Sequence, residues 1–192
     1  MVAAFQSEVS MGNVPIKIKG IGREMSLDNV DIRIIDYLQV EGRASLSEIG
    51  KAVGLSHTSV RERLRKLVDS GLLKVQANLN VKALGLAVAV VLAEFEDHVK
   101  IKKACKELSK CPRVLMLGRV SGEYNVFMIL LGKDLTVFTD FIENVLRRRY
   151  GLRRLNVAFG VLEAPSYLPL APFSSLTCLL EECGERCDLW SS

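Results

Sequence analysis

The residues best suited to chemistry are the arginines and small polar side chains of residues 44–76, ASLSEIGKAVGLSHTSVRERLRKLVDSGLLKVQ. Ser45 precedes Glu48 by three positions, which is the pattern of a capping box at the start of a helix. Gly54 can take the left-handed conformation that ends this helix, and Ser56 can cap the next one. Two short helices joined by a tight turn are typical of a helix-turn-helix, which binds double-stranded DNA.

The second of these helices is predicted to have one apolar face and one polar face. Val60, Leu64 and Leu67 recur at helical spacing on the apolar side. The polar side can reach base edges in the major groove, and Arg61 and Arg65 are the strongest candidates for reading them. The predicted DNA-binding residues are Arg43, Lys51, Ser56, His57, Thr58, Ser59, Arg61, Glu62 and Arg65.

Positive charge is concentrated in the same stretch. Residues 43–75 carry seven Lys or Arg against three Asp or Glu, while the rest of the chain is balanced and the net charge is +4. Arg43 and Lys51 are expected to contact phosphates. An ordinary solvated helix is the alternative, since charged residues four apart cover most surface helices. The joint presence of cap, turn, apolar stripe and local charge favours DNA binding.

The length of 192 residues and a hydrophobic content of 49% suit two compact units. Residues 84–93 form the most apolar run, which is too short to span a bilayer as a helix. The first residues lack the basic start and long apolar core of a secretory signal. We therefore expect a cytoplasmic protein with no membrane segment.

Residues 26–80 are predicted to form a winged helix-turn-helix domain after a flexible leader, residues 1–25. Asp28 can cap a first helix, Gly71 can end the recognition helix, and residues 72–79 alternate enough for a short strand or wing.

The periodicity changes after a hinge predicted at residues 81–86. Residues 87–163 are expected to form a ferredoxin-like domain, so that the fold class is α+β. Helices on one side of its sheet leave the other face, rich in Val and Leu, to be covered by self-association. A two-fold dimer would place two recognition helices on half-sites about one DNA turn apart or a multiple of it. The β-α-β-β-α-β order is read from 87–95, 99–109, 113–120, 124–131, 135–149 and 153–162.

Residues 26–163 resemble the leucine-responsive regulatory protein and AsnC group, also called feast/famine regulators. The resemblance implies a transcription regulator whose ferredoxin-like domain assembles dimers into octamers or related oligomers. It also implies that small molecules, often amino acids, bind between dimers and alter DNA binding. The matching segments are LDNVDIRIIDYLQVEGRASLSEIGKAVGLSHTSVRERLRKLVDSGLLK, NVKALG, CPRVLMLGRVSGEYNVFMIL and DLTVFTDFIENVLRRRYGLRRLNVAFGVL.

The effector loop of that group is a Gly-x-Tyr-Asp turn, and Asn125 stands here in place of the usual acid. An ammonium group would prefer a carboxylate to this neutral amide, whereas backbone groups of Gly118 and Gly122 could still bind a ligand's carboxylate. Without the resemblance, the segment is simply a hairpin connection. The resemblance implies effector contacts at Gly118, Val120, Ser121, Gly122, Tyr124 and Asn125.

Two further clusters leave alternatives open. Arg147–Arg149, Arg153 and Arg154 suit the end of a helix, a contact with an acidic subunit, or a phosphate surface.

Residues 164–192 form a Pro-rich linker and a tail whose cysteines have the spacing C-x4-C-x3-C. The tail can bind Zn or another soft metal, form disulfides, or pack as a small helix. The candidate metal ligands are Cys178, Cys183 and Cys187.

An enzyme is one alternative to a transcription regulator. The chain has only two histidines, His57 and His98, and lacks a phosphate-binding glycine loop, a paired-histidine metal motif and a nucleophile elbow. We therefore expect no enzyme. The main alternative is a regulator in which the cysteine tail senses metal or redox state, and another is an architectural protein that needs only phosphate contacts.

Overall fold

The computed structural model describes residues 16–19, 24–170 and 177–181. The chain divides into two compact units, Met1–Gln76 and Ala77–Ser192. The fold class is mixed α+β, which confirms the prediction.

The described part of the first unit consists of a hairpin followed by helices. Its core takes one residue from β2 and the others from all three helices. The strands are β1 (Ile16–Lys19) and β2 (Glu24–Leu27), and the helices are α1 (Asn29–Val40), α2 (Leu46–Val53) and α3 (His57–Asp69). The buried core residues are Leu27, Ile34, Ile49, Val53, Val60 and Leu67.

The hairpin lies mostly within the stretch predicted to be a flexible leader. β1 and β2 pair antiparallel, with Ile16 opposite Leu27, which is 5% exposed. The alternation of Ile and Lys along β1 is the period-two pattern of a strand. The leader prediction thus does not hold for these paired residues, while residues 1–15 and 20–23 lie outside the described ones.

The predicted wing does not form over residues 72–78, which contain no strand. Gly71 has a φ of 75°, and the Leu73 N–H donates to the Leu67 carbonyl at 3.1 Å. The Gly71 N–H also donates to the Val68 carbonyl at 2.9 Å, which is the inner bond of a Schellman helix end, and the Leu73 bond reaches back one residue further than that motif's outer bond. Since Leu73 also packs on the helical core, the apolar residues here finish α3 instead of starting a strand.

The second unit is built on a four-stranded antiparallel sheet. Its strand order is β5-β6-β4-β7, which with the two crossover helices is the predicted ferredoxin-like arrangement. A separate two-stranded pairing joins β3 to β8. The elements are β3 (Leu79–Asn80), β4 (Ala87–Phe95), α4 (His98–Leu108), β5 (Val114–Arg119), β6 (Val126–Gly132), α5 (Leu135–Asp140), a π-helical segment (Phe141–Arg147), α6 (Arg148–Tyr150), β7 (Leu152–Gly160), β8 (Tyr167–Leu168) and α7 (Thr177–Leu180).

The helices pack on one face of the sheet, where alternate residues of β4 and β6 are buried. At the edge of this core the Tyr150 hydroxyl donates to Glu107 Oε2 at 2.7 Å, and the Tyr150 ring meets Phe95 edge-on. Burial, followed by this hydrogen bond, raises the pKa of Tyr150, so the hydroxyl remains a donor.

A second apolar cluster covers one end of the opposite face of the sheet. Val88 and Leu131 of the sheet pack there with Val81, Leu86 and Leu179. Residues 81–86, predicted to be a hinge, therefore belong to this cluster, because Val81 and Leu86 are both buried. The region predicted to be linker and tail likewise supplies a strand, β8, and a helical turn, α7.

Substituting Gly50 tests the packing of the helix-turn-helix. A Cβ at this position would lie 2.6 Å from the Leu55 carbonyl oxygen, which is backbone and cannot rotate away. We expect Gly50→Ala to lower the free energy of unfolding by about 1 to 3 kcal/mol in urea denaturation. Gly42→Ala is the control, because the nearest atom to its Cβ would be at 3.7 Å. Equal unfolding midpoints for the two variants would contradict this account of the turn.

Candidate functional site

The turn between α2 and α3 is fixed by local hydrogen bonds. The Glu48 N–H donates to Ser45 Oγ at 3.2 Å, and the Ser45 N–H donates to Glu48 Oε2 at 2.7 Å, which confirms the capping box. The Ser45 hydroxyl also donates to Glu48 Oε2 at 2.7 Å, and this bond, followed by the one from the Ser45 N–H, lowers the pKa of Glu48. Gly54 has a φ of 76° and ends α2, and the Leu55 N–H then donates to the Gly50 carbonyl at 2.9 Å.

Helix α3 presents its polar face to solvent. Ser56 caps it, since its Oγ accepts from the Ser59 N–H at 3.2 Å. Val60 and Leu67 are 0% and 3% exposed and belong to the core, while Leu64 of the predicted apolar face is half-buried. Ser59 is half-buried, and the other predicted DNA-binding residues are exposed, namely Arg43, Lys51, Ser56, His57, Thr58, Arg61, Glu62 and Arg65.

A double ion pair that the sequence did not reveal holds α3 against α1. Arg63 Nη1 lies 2.7 Å from Asp28 Oδ2 and 2.7 Å from Asp31 Oδ1. Asp28 and Asp31 also form the capping box of α1, in which the N–H groups of Val30 and Asp31 donate to Asp28. Arg63 thus ties the recognition helix to the first turn of α1. We call these three residues the Arg63 clamp.

The clamp shifts the pKa values of its members. Partial burial raises the pKa of Asp28, but hydrogen bonds from the Asp31 backbone and the Arg63 guanidinium outweigh it and lower this pKa below its ordinary value of 3.8. The carboxylates of Asp31 and Asp28 raise the pKa of Arg63. The lowered pKa of Asp28 keeps its carboxylate charged at neutral pH, and its ion pair with Arg63 weakens when Asp28 is protonated.

A cleft of about 640 Å³ lies beside the clamp. Two predicted DNA-binding residues, Ser59 and Glu62, line it together with Lys66 and clamp residues. Because Ser59 is also the partner of the α3 cap, its hydroxyl already has a structural role. Arg61 and Arg65 do not line this cleft, and they remain the arginines of α3 best placed to reach a ligand outside the unit.

The predicted effector loop follows β5. Its last residue, Asn125, is bonded to the neighbouring strand, because the Phe95 N–H donates to Asn125 Oδ1 at 3.0 Å and Asn125 Nδ2 donates to the Phe95 carbonyl at 2.9 Å. The backbone N–H of Asn125 also donates to the Ala93 carbonyl at 3.0 Å. The amide of Asn125 is thus part of the strand pairing, where an aspartate could accept but not donate.

The other effector candidates fall into two groups. Val120, Ser121 and Gly122 are exposed in the turn, and Tyr124 is half-buried. Gly118 lies in β5 opposite Phe127, whose ring occupies the space of a side chain: a Cβ would be 2.2 Å from it. The need for glycine at residue 118 is explained by this packing.

The arginine cluster is engaged with carboxylates around the same loop. Arg154 Nη1 lies 2.6 Å from Glu123 Oε1, and Glu94 lies within 3.5 Å of both Arg153 and Arg154. Arg147 pairs with Glu143 one helical turn away. Three of the five arginines are thus paired with carboxylates of the same chain, which argues against a free phosphate surface at these residues.

Of the predicted metal ligands, Cys178 is half-buried in α7, while Cys183 and Cys187 lie outside the described residues. Within the described residues, no group of three or more Cys, His, Asp or Glu side chains has an arrangement that could hold a metal ion. Among the same residues, no helix is both long and apolar enough to cross a membrane.

Comparison with known proteins agrees with both units. Residues 27–68 match the AsnC-type helix-turn-helix domain, and residues 88–166 match the Lrp/AsnC ligand binding domain. An uncharacterized HTH-type transcriptional regulator of Pyrococcus horikoshii is 33% identical over 132 residues, which cover 68% of this chain and 84% of that protein.

Solved structures show the same fold. A transcriptional regulator of Neisseria meningitidis in complex with L-Met has a TM-score of 0.65 at 24% identity, covering 78% of this chain and 99% of that one. The leucine response regulatory protein of Mycobacterium tuberculosis has a TM-score of 0.64 at 25% identity, covering 73% of this chain and 96% of that one.

A helix-turn-helix unit and a ferredoxin-like ligand-binding unit in one chain define a transcription regulator that binds DNA and a small molecule. The chain belongs to the Lrp/AsnC family of HTH-type transcriptional regulators. The curated relatives are named as regulators and not as enzymes.

The Arg63 clamp predicts a pH-dependent contribution to stability. Arg63→Met should lower the free energy of unfolding of the first unit by about 1 kcal/mol at pH 7, since these ion pairs are partly exposed. The folded pKa of Asp28 is depressed, so the stabilisation is present above the ordinary pKa of 3.8 and is lost as pH falls through the folded value. Urea denaturation at pH 7 and pH 3 measures this.

The difference between wild type and Arg63→Met should shrink at pH 3. Arg33→Met is the control for pH dependence, because Arg33 donates to the Ala52 carbonyl, which does not titrate. Its effect should be the same at both pH values. A pH-independent effect of Arg63→Met would show that the clamp acts by packing alone.

Proposed function

We propose that the exposed face of α3 reads bases in the major groove, with Arg61 and Arg65 as the base contacts. The observation that carries this is the burial of Val60 and Leu67, which leaves both arginines on the solvent side of a capped helix. Guanidinium groups there match the O6 and N7 acceptors of guanine.

The relatives named above are archaeal and bacterial, so the expected compartment is the cytoplasm.

Arg43 and Lys51 are the proposed phosphate contacts. Both are exposed, and they lie outside α3, before and within α2. Charges in these positions strengthen binding to any sequence without selecting among sequences.

The active form is proposed to be a homo-oligomer built from dimers. Val90 and Met116, on the face of the sheet opposite the helices, are 42% and 51% exposed, and the neighbouring Phe127 and Ile129 are only half-buried. A contiguous apolar surface of this kind is typical of protein–protein interfaces. A second copy of the sheet would cover it and supply a second α3 for DNA.

The effector is proposed to be an amino acid or a related small carboxylate, recognised mainly through its carboxylate. Asn125 is occupied by the Phe95 backbone, and Glu123 is paired with Arg154, so neither offers an uncommitted negative charge to an ammonium group. The exposed turn at Ser121 and Gly122 instead offers backbone N–H groups, which bind anions. The related Neisseria regulator binds L-Met, which carries a carboxylate.

The effector proposal predicts which part of the ligand is required. In calorimetry with the full-length protein, N-acetylmethionine, which lacks the ammonium, should bind within about threefold of methionine. Methionine amide, which lacks the carboxylate, should bind at least about tenfold more weakly, because a hydrogen bond to a charged group is worth roughly 1.5 to 3 kcal/mol. Leucine and its two derivatives provide a second series. Tight binding of the amides together with loss of the acetylated ligands would refute the proposal.

Base reading by Arg61 is tested on two DNAs, a site selected from random duplexes and an unrelated duplex. Arg61→Ala should cost about 1 to 3 kcal/mol on the selected site and much less on the unrelated one. Lys51→Ala should weaken both and reduce the salt slope by about one.

The control is Lys102→Ala, which removes the same charge from an exposed position in the second unit and should change neither affinity. If Arg61→Ala weakened both DNAs equally, Arg61 would be a phosphate contact and not a base contact.

A further inference from the structure

Helix α4 and the turn after it present a row of lysines to solvent. The buried side chains of the helix, Ile101, Ala104 and Leu108, pack in the core on one face of the sheet. The lysines all occupy exposed positions, and they are Lys100, Lys102, Lys103, Lys106 and Lys110. The fold of the second unit thus places a cluster of positive charge at the surface.

Most of this charge is not neutralised within the described part of the chain. Lys100 is paired with Glu96, whereas no ion pair among the described residues includes the other four lysines. The nearby acids are already engaged, because the Asp97 side chain caps α4 and Glu107 accepts from the Tyr150 hydroxyl. Like charges three or four residues apart destabilise a helix. An anion from outside the helix would relieve this repulsion.

Three of the lysines form a line with an apolar residue. The line consists of Val99, Lys103, Lys106 and Lys110, and we call it the α4 seam. Its positions are separated by four, three and four residues, which is the spacing along which two helices contact each other. Val99 opens the line and is 72% exposed. The seam is about 16 Å long at a rise of 1.5 Å per residue.

The spacing and composition of the α4 seam indicate which kind of anion fits it. Phosphate groups can pair with lysines, but they offer no apolar partner to Val99. A helix with carboxylates at matching intervals and one apolar side chain satisfies all four positions. A second copy of this chain does not supply such a helix from its described ranges, because none of the helices there carries more than two carboxylates.

We propose that the α4 seam is a docking surface for an acidic amphipathic helix of a different protein. The three lysines pair with carboxylates of that helix, and Val99 contacts an apolar side chain. None of the seam residues belongs to the set proposed to contact DNA or to the effector loop. The seam therefore gives the regulator a third kind of partner, which is bound through the second unit.

The test measures binding of a synthetic helical peptide to the full-length protein by fluorescence anisotropy. The peptide has about 18 residues, or five helical turns, with Glu opposite each seam lysine and Leu opposite Val99. A second peptide has Gln in place of each of these Glu residues. Wild type should bind the Glu peptide about tenfold more tightly than the Gln peptide, because three exposed ion pairs together supply about that factor.

Two variants of equal net charge locate the binding surface, and all substituted side chains are exposed, so both should fold. The seam variant should lose the preference for the Glu peptide, whereas the control variant should keep it. Val99→Ser should weaken binding of the Glu peptide about threefold through the lost apolar contact. The seam variant carries Lys103→Gln, Lys106→Gln and Lys110→Gln, and the control variant carries Lys66→Gln, Lys74→Gln and Lys133→Gln.

Equal affinity of wild type for the two peptides would overturn the proposal, and so would an equal loss of binding in the seam and control variants. Binding to the unrelated duplex separates the peptide from DNA as the partner. If the seam variant kept its preference for the Glu peptide and bound that duplex about tenfold more weakly than the control variant, the lysines would be phosphate contacts and the proposal would be wrong.

Discussion

The burial of one face of α3 is the constraint on which DNA recognition by this protein depends. Val60 and Leu67 lock the helix into the core of the first unit, so the side chains opposite them must face outward. The close approach of Gly50 to the Leu55 carbonyl sets how tightly α2 and α3 turn. The Arg63 clamp then ties α3 to the capped start of α1. The direction of Arg61 and Arg65 follows from contacts that they do not make themselves.

In the second unit the two faces of the sheet have different roles. One face is filled by helices, and the other is covered only at one end by Val81, Leu86 and Leu179. The uncovered part is the surface that we propose for self-association. At the far end of β5 the loop is held by Asn125 and by the Glu123–Arg154 ion pair, so its charged groups are already in use. In the proposed effector site, recognition of a carboxylate is therefore assigned to backbone N–H groups.

Much of the fold could be predicted because it depends on residues that are close together in the sequence. Helix caps at Asp28, Ser45 and Ser56, and the left-handed Gly54, act within four residues of themselves, and all lie where expected. Strand β4 likewise needs no knowledge of its partners, because it lies mostly within the most apolar run of the sequence, residues 84–93. The prediction of a wing was wrong because the apolar residues after α3 complete the end of that helix, where Leu73 packs against the helical core.

The remaining features depend on partners that are distant in sequence. Arg63 and Asp28 are 35 residues apart, and Asn125 and Phe95 are 30 apart, so no local pattern shows their pairing. An arginine is ordinarily a surface residue, whereas Arg113 is buried and donates to the carbonyl of Glu181, directly after α7. In each case the sequence presents a polar residue, and only the tertiary fold shows that it is engaged or enclosed.

Reading of the major groove by α3 is tested most directly by dimethyl sulfate protection on a selected DNA site, because the reagent methylates guanine N7 in the major groove and adenine N3 in the minor groove. We predict that the wild-type protein protects specific guanines at N7 and that Arg61→Ala loses protection at one of them while still bound. Protection of adenine N3 alone, or an unchanged guanine pattern for both proteins, would contradict reading of the major groove by α3.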